Sequence, residues 1–105
     1  MAEKRRPTYD LETFKAAFST VDTLHMTFTA ANDAADLGFG KAEIVETLQT
    51  MRPGHFYKSM TSHADYKIWQ DVYHVPSTVG VLYVKFTANR VTLFKLMLFK
   101  EKDNG

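Results

Sequence analysis

Phe56-Tyr57-Lys58-Ser59-Met60-Thr61 and Ile68-Trp69-Gln70-Asp71-Val72-Tyr73 are two strand-like runs separated by a short polar stretch. Each mixes aromatic and branched residues with Lys, Ser, Gln or Asp. A hairpin with one packed face and one working face suits that mixture. The segment 56–73 carries the single Trp and three of the five Tyr, so aromatic packing and polar chemistry are concentrated in it. Strands are expected over 55–61 and 68–75, with residues 62–67 as the loop. In this alternation Lys58 shares a side with Phe56 and Met60. Gln70 lies between Ile68 and Val72, and Trp69 shares a face with Asp71 and Tyr73.

Downstream the strand period continues. Pro76-Ser77 turns the chain into a third strand over 80–86, where Tyr83 and Lys85 alternate against Leu82, Val84 and Phe86. Ala88-Asn89-Arg90 turns it again, into a largely apolar fourth strand over 91–100 that ends on Lys100. Upstream the period is helical. Asp10 is a candidate N-cap for a helix whose Leu11, Phe14 and Phe18 recur at helical spacing. Residues 21–28 suit a short strand or an extended connection. An Ala-rich helix over 29–37 follows Thr27 or Thr29 as cap, and Gly38 stops it. A third helix over 41–51 presents Ala42, Val45, Leu48 and Met51 as a stripe, with Ile44 beside it. Arg52-Pro53-Gly54 ends it. Helices first and hairpin-linked strands afterwards imply an α+β fold with an antiparallel sheet. The expectation is one domain over 1–105: a loose basic arm at 1–9, a mainly helical part at 10–52 and the sheet at 55–102.

A chain of 105 residues with 45% hydrophobic and 24% charged content can bury its own core. The chain contains no Cys, which excludes disulfides and thiolate metal sites. No apolar run spans a bilayer and the charged N-terminus leads into no hydrophobic segment, so a cytoplasmic protein is expected. The net charge of +1 hides an asymmetry: residues 1–50 sum to −3 and residues 51–105 to +4. A basic half attracts polyanions, although a pI near 8.0 is low for a nucleic-acid binder judged on charge alone.

No phosphate loop, nucleophile elbow or zinc-protease motif is present. His25, His55, His63 and His74 are dispersed; His55, His63 and Asp65 fall short of a metal-ligand set, and surface polarity is the simpler account. Lys58 can snorkel from an apolar face or serve as a partly desolvated phosphate ligand. Gln70 can be an ordinary sheet residue, Tyr83 aromatic packing and Lys100 an edge-strand charge. Taken singly, each of these structural accounts is the stronger. Together, Lys, Gln, Tyr and Lys on separate strands have the option of converging on one concave sheet face, which composition by itself does not show.

On the two hairpin runs, on Leu82-Tyr83-Val84-Lys85 and on the closing Phe99-Lys100-Glu101-Lys102, the chain resembles the motility quorum-sensing regulator (MqsR) toxins of bacterial toxin–antitoxin pairs. The resemblance is strong over 55–102 and looser before it, through Ala35-Asp36-Leu37-Gly38. It implies a RelE-like fold, a twisted antiparallel sheet with about three helices packed on it. It implies an endoribonuclease that cuts messenger RNA independently of the ribosome, at GC-containing triplets such as GCU, by metal-independent 2′-OH transesterification. The family's catalytic positions fall on Lys58, Gln70, Tyr83 and Lys100, with Tyr57, Met60, His63 and His74 as RNA contacts. No cofactor or metal is implied for this chain. The implied partner is an MqsA-like antitoxin with zinc-binding and helix-turn-helix domains, through which alone operator DNA is bound. His74 and His63 stand where the best-known member carries Arg and Tyr, differences that bear on base preference. A neighbouring Lys58 or Lys100 is expected to lower the pKa of Tyr83. The competing class is a non-catalytic RNA- or antitoxin-binding module.

Overall fold

Local sequence signals account for the helical half. The structure, a computed structural model, describes residues 2–61, 67–88 and 95–101, with the backbone alone at 95–99 and 101. Helix α1 (Leu11–Ala17) starts where the Asp10 carboxylate accepts the Thr13 N–H. Helix α2 (Phe28–Asp36) starts where Thr27 Oγ1 accepts the Ala30 N–H. It ends at Gly38, which takes φ +82°, a conformation that costs other residues a Cβ clash. Helix α3 (Lys41–Gln49) is capped by Glu43, whose Oε1 accepts the Gly40 N–H. Residues 21–23 form a single 3-10 turn rather than a strand. Replacing Thr27 by Ala is expected to cost about 1 kcal/mol of stability, measurable by urea denaturation.

The sheet is antiparallel with strand order β1-β2-β3-β4-β5. The strands are β1 (Glu3–Lys4), β2 (Phe56–Thr61), β3 (Trp69–Ser77), β4 (Gly80–Thr87) and β5 (Lys95–Glu101). The expected α+β, RelE-like arrangement is thus present: a meander of strands with three helices on one side. Leu11, Phe14 and Phe18 of the α1 region, Ala30 and Ala34 of α2, and Ile44, Leu48 and Met51 of the α3 region pack against Tyr73, Val75, Leu82, Val84 and Phe86. The centre of this core is aromatic. Phe14 stacks on Phe86 at 3.7 Å between centroids, and Tyr73 stacks on the same ring at 5.9 Å. Small residues on α2 let it lie close against β5. Among the described residues no helix is long and apolar enough to cross a membrane.

Two expectations change. The buried stripe of α3 is Ile44, Leu48 and Met51, while Ala42 is exposed and Val45 half-buried. The α3 axis is set by its packing partners, which the helical period alone does not identify. The last strand is seen from Lys95, and the expected start at 91–94 lies outside the described residues, as does most of the 62–67 loop. The larger change concerns residues 1–9, expected as a loose arm. They are strapped across the sheet edge. Glu3 and Lys4 pair with Met60 and Ser59, and Ala2 and Thr61 exchange two hydrogen bonds of 2.9 Å. Further on, the Asp71 carboxylate accepts the Thr8 and Tyr9 N–H groups at 2.9–3.1 Å. The Tyr9 hydroxyl donates to the Trp69 carbonyl at 2.8 Å, and Lys4 Nζ sits 4.4 Å from the Trp69 ring. The partners lie more than 50 residues away in sequence, so no local pattern signals them.

Candidate active site

The sheet face turned away from the helices carries the candidate residues, and a β-bulge decides which ones. Phe56 pairs with Tyr73, but the next pair is Lys58 with Val72, leaving Tyr57 as the extra residue. An extra residue inverts the side-chain alternation beyond it. Phe56 therefore turns into the core, edge to face with Tyr73 at 5.4 Å, while Tyr57 and Lys58 both project onto the open face. The expected common side for Phe56 and Lys58 is thereby corrected; Lys58 shares its side with Met60 alone. Without the bulge Lys58 would have pointed among the helices.

Register then sorts the open face into rows across the strands. One row reads Met60, Gln70, Thr87. The next reads Lys58, Val72, Lys85. The third joins the bulged Tyr57, His74, Tyr83 and Lys100. The Tyr57 ring stacks on His74 at 4.3 Å, and His74 lies 5.9 Å from Tyr83. Lys100 Nζ is 5.8 Å from the Tyr83 ring and Lys58 Nζ 5.3 Å from that of Tyr57. Lys58, Tyr83, Lys100, Tyr57 and His74 thus converge. Gln70 is four residues from His74 along one strand, about 13 Å, so it addresses a different part of a bound molecule than Tyr83 does. The floor beneath is dry, with Val72 fully buried and Gln70 only 4% exposed. The buried Gln70 Oε1 meets no donor among the described residues. A ligand N–H or O–H there would relieve a desolvated acceptor. His63 lies outside the described residues.

Electrostatics assign distinct protonation behaviour to these groups. Lys58 donates to Glu3 Oε1 at 2.6 Å, a bond that holds its ammonium above the ordinary lysine value against the opposing effect of burial. Tyr83 goes the other way from expectation. Lys58 does pull its pKa down, but burial outweighs that pull, and Tyr57 and Glu3 add to the upward shift. Its phenol is therefore held above the ordinary tyrosine value and keeps its proton at neutral pH. Lys85, which sequence reasoning passed over as a site residue, is pulled down by burial, then by Lys100 and Lys58. Its alternation with Tyr83 on β4 was the available signal, since two residues two apart on a strand share a face.

Asp71 has no part on this face. It is fully buried on the helix side, where it anchors the strap instead of pairing with a Lys. Its charge helps burial push the Tyr73 phenol up to about 12. His55 Nδ1 accepts the Arg52 N–H, a local cap. Among the described residues no cluster of His, Cys, Asp or Glu forms a metal-binding group. A cavity of about 380 Å³, lined by Leu37, Phe39, Glu43, Glu46, Pro76 and Val79, opens at the far end of the β3–β4 hairpin, apart from the lysine face.

A face with cationic, phenolic and amide groups over a desolvated floor has the chemistry to hold and polarise a phosphodiester. Residues 6–101 match the family model described as "Motility quorum-sensing regulator, toxin of MqsA". The chain belongs to the MqsR toxin family. It is similar to the mRNA interferase toxin MqsR of Escherichia coli (strain K12), with 33% identity over 100 residues, which is 95% of this chain and 99% of that relative. Membership makes the chain a toxin-class endoribonuclease. The MqsR match begins at Arg6, so it takes in most of the structured chain, including the end of the strap that Asp71 anchors.

Proposed function

We propose that this MqsR-family chain cuts messenger RNA independently of the ribosome, at GC-containing triplets, by metal-independent attack of a ribose 2′-OH on the adjacent phosphate. The observation that carries the proposal is the convergence of Lys58, Tyr83 and Lys100 from three strands on one half-buried face. In the step, the O2′–P bond forms, the P–O5′ bond breaks, and the products carry a 2′,3′-cyclic phosphate and a 5′-OH. Lys58 and Lys100 neutralise the charge that grows on the phosphorane oxygens. Tyr83, protonated at neutral pH, gives its proton to the departing 5′-oxygen. The candidate proton acceptors for the 2′-OH are the His74 imidazole and the Lys85 amine, both on the face of Tyr83, the charged form of Lys85 being disfavoured by burial. Gln70 and Met60, in the outer row, hold a neighbouring nucleotide, with the unpartnered Gln70 Oε1 as its acceptor. Tyr57 stacked on His74 offers an aromatic surface to a base. His63, outside the described residues, is assigned to RNA contact.

The same reading places the protein in the cytoplasm, held inactive by an MqsA-like antitoxin with zinc-binding and helix-turn-helix domains that also carries operator binding. No cofactor is assigned to the toxin itself. Lys58→Ala and Lys100→Ala are each expected to lower RNA cleavage by on the order of 100-fold and to relieve growth arrest on overexpression while antitoxin binding survives. Full toxicity of both variants overturns the site. Cleavage by purified protein is expected to persist in EDTA; activity that vanishes and returns with a divalent cation refutes the metal-free step. RNA bound without being cut favours a non-catalytic module. Mapping 5′ ends after a brief pulse of expression identifies the triplet.

A further inference from the structure

The N-terminal strap reaches the open face as well as the sheet edge. Glu3 and Arg5 alternate with Lys4 along it. Lys4 turns toward Trp69, while Glu3 and Arg5 turn toward Lys58 and Tyr57. Arg5 also donates to the Tyr57 carbonyl at 3.4 Å. The strap is fastened at both ends, at Ala2 on Thr61 and at Thr8 and Tyr9 on Asp71. The Glu3 carboxylate is therefore presented by a fixed strand. It meets Lys58 at 2.6 Å, with 17% of the Lys58 side chain exposed and 43% of the Glu3 side chain.

We propose that the strap is a wall of the active site and that Glu3 is a positioning residue, which holds the Lys58 ammonium in the orientation that meets the scissile phosphate. The proposal rests on Lys58 being a catalytic cation. A lysine side chain has four rotatable carbons and loses much entropy when fixed. A carboxylate that takes one of its three N–H groups fixes it before RNA arrives and leaves two N–H groups for phosphate oxygens. Such preorganisation acts on the chemical step. The same carboxylate repels the RNA backbone, so its effects on binding and on turnover oppose each other. Among the described residues, the other charged and titratable groups around Lys58 are Arg5 from the strap, Tyr57 from β2, His74 from β3, Tyr83 and Lys85 from β4, and Lys100 from β5. None of these is a second carboxylate.

The test is Glu3→Gln, with Glu3→Asp beside it, assayed on a short RNA at pH 7 together with titration of the Lys58 side-chain NMR signal in free protein. Glu3→Gln is expected to lower kcat about tenfold and to lower KM. Glu3→Asp keeps the charge and restores part of kcat. The Lys58 signal in Glu3→Gln is expected to titrate at lower pH than in the wild type. An unchanged or raised kcat overturns the proposal and makes Glu3 a competitor for the phosphate site. An unchanged Lys58 titration overturns the pairing itself. Wild-type protein that cuts no RNA while Lys58 still responds to Glu3→Gln sinks the endoribonuclease mechanism but leaves the pair standing.

Discussion

Tyr83→Phe is expected to lower kcat for RNA cleavage by on the order of 100- to 1,000-fold, or about 2.7–4 kcal/mol of transition-state stabilisation. The ring remains to pack between His74 and Lys100, so folding and antitoxin binding should change little. Only the hydroxyl is lost, the group proposed to protonate the leaving 5′-oxygen. The pH dependence supplies the sharper check. Burial holds the phenol above the ordinary tyrosine value even with Lys58 nearby. An acid of that kind stays protonated through the neutral and mildly alkaline range, so wild-type cleavage should show no falling limb from Tyr83 there. Had the neighbouring lysines won, the phenol would ionise earlier and the rate would fall between pH 7 and 9. Stopped assays from pH 6 to 9.5 separate the two. A Tyr83→Phe enzyme within threefold of wild type removes Tyr83 from the chemistry.

Asp71→Ala should have the largest effect on stability. Asp71 is fully buried, and its carboxylate takes the Thr8 and Tyr9 N–H groups. Removing it leaves two partly buried backbone donors without their acceptor, at a cost of about 3 kcal/mol. In a domain of this size that is a fall in Tm of roughly 15 °C. Asp71→Asn keeps one acceptor oxygen and should lose less. The strap gives a second readout. Once its Asp71 fastening is gone, the segment around Lys4 and Arg5 should open to trypsin, with cleavage after both residues. Calorimetry and limited proteolysis on the folded variants measure the two effects. A strap that stays resistant in Asp71→Ala would mean that the Ala2–Thr61 bonds and the Lys4–Trp69 contact hold it unaided.

The helical half was largely legible because its signals are local. Asp10 and Thr27 cap the next few residues, Gly38 adopts its own left-handed backbone, and Leu11, Phe14 and Phe18 lie within two turns. The strands were legible as strands, since alternation over 80–86 spans only a few residues. Which face each side chain takes was legible on β3 and β4, where pairing runs without interruption across the site residues from His74–Tyr83 to Val72–Lys85. On β2 the same reasoning failed at Lys58, because the Phe56/Lys58 bulge is set by the pairing with β3 and by how Phe56 packs on Tyr73.

By itself the sequence determined the succession of helices and strands and the caps, and through its family resemblance it proposed Lys58, Gln70, Tyr83 and Lys100 as site residues. Tertiary structure decided where they point and what they do. It bent β2 so that Lys58 joined the open face. It tied the first nine residues across the sheet and set Glu3 against Lys58. It also kept the proton on Tyr83 and weakened the hold of Lys85 on its own. These outcomes share one physical cause. Side-chain direction across a bulge, strand pairing at a separation of 55 residues, and loss of water around a phenol depend on neighbours that only the folded chain assembles.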